Sequence, residues 1–278
     1  MMEMIYALMD TLLPVEWMSY TFMKNALLAM LLITPLFGML GTMAVDNKMA
    51  FFSDALGHSA LTGIAIGVLL GWENQMAAML LFGILWAVLI TFVKHNSKMS
   101  ADTIISVFSS TSIALGLVVL SRGGAFAKYS SVLVGDVLSI TSSDLLALLL
   151  TLLSAAGAWL FLFNPLMITS VNSPLARSRG IRSRMTEYCF TILVAVSVMV
   201  SIRWVGVMLI NSLLILPAAA SRNVARNAAQ YLRLSVLISM VCGVLGLVLS
   251  YYMDTSAGAA VVLLCAAVYF ATLPLRRK

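Results

Sequence analysis

The sequence predicts an all-α, polytopic transmembrane bundle of eight to nine membrane segments, and three observations lead there. Of 278 residues, 62% are hydrophobic and only 10% charged. Mean hydropathy is +1.02, the range of chains that live in lipid. The apolar residues are gathered into runs of membrane-crossing length, with the charges between them. A chain of this kind buries its apolar surface between its own helices and in the bilayer. Residues 1–278 therefore read as a single transmembrane domain.

The first segment, 1–19, carries Glu3 and Asp10 where a secretory signal would be basic, so it is expected to stay on the protein as an external segment. Apolar windows then fall at 20–43, 54–70, 76–93, 103–120, 144–163, 188–202, 205–220, 231–253 and 257–273. The sixth and seventh are short against the roughly 20 residues a bilayer requires. Only Arg203 and Trp204 separate them, so one or both are expected to be tilted or partly re-entrant, which leaves the count at eight or nine.

Sidedness follows from the basic residues, because positive loops are retained in the cytoplasm. One alternating set of loops holds 13 of the 17: Lys48, Lys94, Lys98, Arg177, Arg179, Arg182, Arg184, Arg222, Arg226, Arg233, Arg276, Arg277 and Lys278. The other set holds Lys24, Arg122, Lys128 and Arg203 together with most of the acids. The N-terminus is expected outside and the C-terminus in the cytoplasm, with the helix carrying Asp54 entering from the cytoplasmic side.

Composition also excludes several classes. The net charge of +6 is confined to loops, without the basic face that nucleic acid requires. Cys189, Cys242 and Cys265 lie far apart in apolar runs, which excludes a CxxC site and makes a disulfide framework unexpected. There is no GxSxG elbow, HExxH or GxxxxGK[ST] phosphate loop, and only two histidines. An enzyme is not expected, and any energy source belongs to another chain or an ion gradient.

Two ionisable side chains stand out within the membrane. In FSDALGHSALTGIAIGVLLG, from Phe52, Asp54 and His58 are four residues apart. On a helix that spacing puts carboxylate and imidazole on one face, within reach of a single cation. Ionisable groups in a bilayer helix are costly and point to function, while Gly57, Gly63 and Gly67 let another helix come close. The same spacing also fits an N-cap at Asp54 and a histidine bonded to a neighbouring helix. In the loop 164–186, the run NSPLARSRGIRSR sets Leu175, Ala176 and Ile181 among arginines, a mixed surface suited to a short helix docking on a cytoplasmic partner. The hydroxyls of 103–112, TIISVFSSTS, can line a polar path or bond neighbouring helices, the latter being the commoner use.

Four stretches resemble one family, the permease subunits of bacterial zinc and manganese ATP-binding-cassette importers. They are MAFFSDALGHSALTGIAIG from Met49, LVGDVLSITSSDL from Leu133, LARSRGI from Leu175 and VGVMLINSLLILPAAASRNVAR from Val205, in the family's order over nearly all the chain from residue 20. The resemblance implies a bundle similar to vitamin B12-type importer permeases in the bacterial inner membrane. It implies that Asp54 and His58 bind the metal in transit, the same pair from a second permease subunit completing the site. It implies further that Pro174, Leu175, Ala176, Arg177 and Gly180 form the element seated in a cytoplasmic ATPase dimer. An extracytoplasmic metal-binding protein would deliver the cargo. Zinc or manganese would be substrate, with no permanently bound cofactor.

Two features depart from the family's pattern. The histidine is followed by SALTG where manganese-type members place a proline, which favours zinc. Ser109 and Ser110 stand where some zinc-type relatives carry another histidine, which leaves no added ligand there. The alternatives are a permease for a metal chelate, a siderophore or corrinoid, and a secondary ion-coupled carrier working alone. The first needs a wide cavity without ion ligands; the second commonly shows repeated halves with broken helices, and no clear repeat is present.

Overall fold

The computed structural model describes residues 2–12, 15–123 and 135–275, and all regular structure among them is helical. Lys128, Leu133, Val134 and the terminal Arg276, Arg277 and Lys278 of the sequence reading lie outside the described residues. The helices are α1 (Met2–Leu12), α2 (Thr21–Asp46), α3 (Phe52–Leu69), α4 (Gln75–Asn96), α5 (Ala101–Gly123), α6 (Ser142–Val171), α7 (Ser173–Ser178), α8 (Ser183–Val224), α9 (Ala228–Tyr252) and α10 (Ala257–Thr272). Eight of them, all but α1 and α7, are long and apolar enough to cross a membrane.

Polar contacts mark the two ends of the bundle. At one end the Tyr6 hydroxyl of α1 donates to Asn25 of α2, whose amide donates to the Ile140 carbonyl at 2.9 Å. Lys24, 7% exposed, is neutralised there by Asp10 at 2.6 Å. At the other end Lys94 Nζ of α4 donates to Glu187 of α8 at 2.6 Å and to the Asn47 carbonyl at 3.4 Å. Arg222 pairs with Asp46 at 3.2 Å beside it. Every basic residue at this second end belongs to the set assigned to the cytoplasm, and Lys24 belongs to the other. α1 lies at the outer end, and α10 runs to the cytoplasmic one, where Asn223 donates to Thr272.

The 42-residue α8 explains the uncertain count of spans. Glu187 near its start and Arg222 near its finish both lie at the cytoplasmic end, although a straight helix would part them by roughly 50 Å. The chain turns back at Gly206, whose φ of 78° and ψ of 163° interrupt the helix. The fold of the loop before α6 closes on this corner, with Gly135 so near that an added Cβ would sit 2.2 Å from Gly206 N. The windows 188–202 and 205–220 are thus the outward and return limbs of one bent element. Traversed in this way, the eight helices leave α1 and the end of α10 on opposite sides.

α6 also differs from expectation. The apolar window ends at 163, yet the helix runs on through Pro165 to Val171, and the expected loop 164–186 shrinks to the turns around α7. Proline costs one backbone bond, but Leu166 beyond it is 2% exposed, so burial holds the extra turn in place.

The bundle interior is built by close helix approach with hydroxyl bonds, as expected where lipid removes the usual hydrophobic drive between helices. Along the antiparallel α2/α9 seam Tyr231, Ser235 and Ser239 donate to the carbonyls of Thr42, Gly38 and Thr34 at 3.2, 2.6 and 2.8 Å. Between α3 and α5, Thr62 donates to the Ser112 carbonyl at 2.6 Å. The Ser112 hydroxyl lies 3.2 Å from that of Thr62, which places one hydroxyl of the 103–112 run in helix bonding, while Thr103, Ser106, Ser110 and Thr111 face outward.

Candidate functional site

α3 is enclosed nearly all round. From residue 52 to residue 65 every position is buried except two, Asp54 and His58. The helix forms because the segment lacks proline and alternates small with branched apolar residues, and it sinks into the bundle because its glycines admit neighbours. At Gly57 an added Cβ would meet Val207 of the return limb at 2.5 Å, and at Gly67 the Ala78 methyl of α4 at 2.5 Å. The side chains one turn apart therefore emerge through the single gap left in the packing of this stretch.

His58 Nε2 lies 3.7 Å from Asp54 Oδ1, with side-chain exposures of 27% and 40%. Two atoms each about 2.1 Å from a tetrahedral zinc stand about 3.4 Å apart, so a cation can be seated between these two by a small rotamer change. The N-cap alternative for Asp54 is not realised. Phe51 occupies the cap position, and the Asp54 carboxylate is instead engaged by Asn211 Nδ2 of α8 at 2.9 Å.

Asn211 was not singled out in the sequence. It lies 157 positions from Asp54, on the return limb five residues after Gly206. Its signal was present nonetheless, as the amide within the apolar run VGVMLINSLLILP. The amide oxygen of Asn211 is buried and has no partner. Leaving such an acceptor unpaired costs about 1–3 kcal/mol. The gap continues over Met208, 61% exposed and one turn before Asn211 on the same limb. Among the described residues no cluster of three or more His, Cys, Asp or Glu side chains is placed to hold a metal. One chain thus offers a cation two ligands of these types at this site.

The second predicted set is brought together in α7. Asn172 caps this helix, accepting from Leu175 N at 3.0 Å, with Pro174 in its first turn. It ends in a Schellman arrangement, Ile181 N donating to the Ala176 carbonyl and Gly180 N to that of Arg177, both at 3.0 Å. Gly180 takes the left-handed conformation this requires, φ 73°. Ala176 is buried and anchors the helix, while Pro174, Leu175 and Arg177 are exposed. α7 and the Asp54/His58 gap are separate features, and α8, which follows α7 in the chain, carries Asn211 to the gap.

Residues 19–276 match the ABC 3 transport family. The chain belongs to that family. This family member is 30% identical over 254 residues to the high-affinity zinc uptake system membrane protein ZnuB of Haemophilus influenzae, covering 91% of this chain and 97% of ZnuB. It is 28% identical over 263 residues to the manganese import system permease protein ScaB of Streptococcus parasanguinis, covering 94% of each. Its fold is similar to a chain in the solved structure of PsaBC from Streptococcus pneumoniae in complex with Fab, with a TM-score of 0.78, 27% identity and 91% of each chain covered.

Proposed function

We propose that this ABC 3 family chain is the membrane permease of an ATP-binding-cassette importer that carries divalent metal ions, zinc first and manganese next, into the bacterial cytoplasm. The observation that carries the reading is the Asp54/His58 pair, 3.7 Å apart at the one gap in a stretch of α3 that is otherwise buried. The names of its zinc and manganese relatives support the class of cargo.

The chemistry follows from the ligand count. Asp54 contributes a hard oxygen and His58 a borderline nitrogen, a set that suits zinc without the tight hold of four thiolates. Two ligands from one chain are half of a tetrahedral shell, so a second copy presenting the same pair across a two-fold axis would complete it. The ion sheds its water as the four side chains close and leaves when the two copies part towards the cytoplasm.

Energy is supplied by a separate ATPase pair seated on the exposed face of α7, with Pro174, Leu175 and Arg177 as contacts and Gly180 shaping its end. A metal-loaded binding protein docks at the outer end. The test is uptake of radioactive zinc and manganese by cells that depend on this chain. Asp54→Ala and His58→Ala are expected to abolish uptake of both while the permease–ATPase complex still copurifies; undiminished uptake overturns the assignment.

A further inference from the structure

We propose that Asn211 is a positioning residue for the transported ion, holding the Asp54 carboxylate in a one-oxygen binding pose and thereby setting both the strength of the site and its preference for zinc. The inference rests on the reading of Asp54 and His58 as ligands.

Three observations carry it. Asn211 Nδ2 donates to Asp54 Oδ1 at 2.9 Å, and His58 Nε2 lies 3.7 Å from that same oxygen. A cation seated between His58 Nε2 and this oxygen would share the oxygen with the amide proton, which leaves a lone pair for each. The amide also has a defined direction. Turned about, its oxygen would face a carboxylate, whereas in the observed orientation that oxygen is left buried with no partner. A side chain held with its acceptor unsatisfied is held for its donor. Finally, Asn211 does not belong to the helix it restrains. It stands on the return limb of α8, five residues beyond the corner at Gly206, with Val207 packed against Gly57 between the ligands.

Two consequences follow from this geometry. A carboxylate fixed by an outer hydrogen bond is pre-aimed, and removing such a partner typically weakens metal binding about 10–100-fold. An amide proton on the side of Oδ1 that faces Oδ2 would also oppose chelation through both atoms. Six-coordinate hard ions such as manganese profit from a bidentate carboxylate more than four-coordinate zinc does. Loss of the amide is therefore expected to weaken zinc binding more than manganese binding.

The experiment is equilibrium dialysis of the full-length chain, purified in detergent as it assembles, against zinc chloride and against manganese chloride. Wild type, Asn211→Leu, Asn211→Gln and Asp54→Ala are compared, with the unfolding midpoint of each measured in parallel. Asn211→Leu is expected to bind zinc about 10–100-fold more weakly at an unchanged midpoint and to lose part of its preference over manganese. Asn211→Gln, which keeps the amide donor, is expected to restore most of the affinity. Wild-type zinc affinity in Asn211→Leu overturns the proposal, as does a loss that tracks a fall in the midpoint or shifts both metals equally. If Asp54→Ala binds zinc as wild type does, the ligand assignment has failed and this inference with it. If Asp54→Ala loses binding and Asn211→Leu does not, this inference alone has failed.

Discussion

At the scale of single residues, the molecule turns on contacts that leave no room for a methyl group. A Cβ added at Gly41 would stand 1.9 Å from the Leu214 carbonyl oxygen, a backbone atom that cannot swing aside. Gly157 in α6 has nothing within 4 Å. The two positions make a matched pair for one test. Gly41→Ala is expected to destabilise the bundle by about 1–3 kcal/mol through overpacking between α2 and the return limb of α8. Gly157→Ala is expected to leave stability unchanged or raise it by about 0.5–1 kcal/mol, because alanine loses less conformational freedom in a helix. Unfolding midpoints in one detergent decide the matter, and equal effects would show that the α2/α8 approach is looser than drawn. The Asp54/His58 pair was legible at this scale because one turn of helix links its members by sequence alone. Asn211 was not, because only tertiary folding brings a residue 157 positions away against that carboxylate.

At the scale of elements, α8 and α7 each depend on one glycine with a backbone angle that other residues resist. Gly206, φ 78° and ψ 163°, occupies a region open essentially to glycine. Gly206→Ala is expected to cost about 1–3 kcal/mol and to reduce the amount of folded protein in the membrane, measured by size-exclusion of the solubilised chain. Gly180 ends α7 with φ 73° in open space, so a methyl there strains only the local turn. Gly180→Ala is expected to cost about 1 kcal/mol locally and to weaken copurification of the ATPase while the bundle's unfolding midpoint stays put. A shift in the midpoint with normal ATPase binding would reverse the roles given to α7 and the bundle. Apolar windows located the long helices but could not tell one bent element from two short ones. The decision is made by Gly206 meeting the loop at Gly135, a contact between distant parts of the chain. α6 outruns its apolar window for a related reason: hydropathy falls at Asn164 and Pro165, and burial of Leu166 carries the helix past them.

At the scale of the whole molecule, Lys24 lies at one end of the bundle and Lys94 and Arg222 at the other, the division the basic residues led one to expect, because charge sorting acts on loops irrespective of how the helices pack. The order of neighbours inside the bundle had no such signal, since every helix is apolar on nearly all faces. The two ends can be checked directly. A cysteine placed at the exposed Glu73 is expected to react with a membrane-impermeant reagent added to intact cells, and one at Arg182 only in inverted vesicles. Labelling with the sides exchanged would invert the direction of transport proposed. Stoichiometry is the second check at this scale. With two ligands per chain, one zinc ion is expected for every two chains, read by native mass spectrometry; one per chain would require ligands from elsewhere in the same chain.

The corner at Gly206 has a mechanical corollary. Because α8 leaves one end of the bundle and comes back to it, both of its feet stand on the side where the proposed ATPase would act. Asn211 is fastened partway down one leg. Spreading or closing the feet, by a pull on the segment that begins at α7, would swing that leg past α3 and tug the hydrogen-bonded carboxylate with it. A hairpin of this kind would convert a sideways push at the base into a change of grip on the proposed cargo, without any signal having to cross from one helix to the next through lipid.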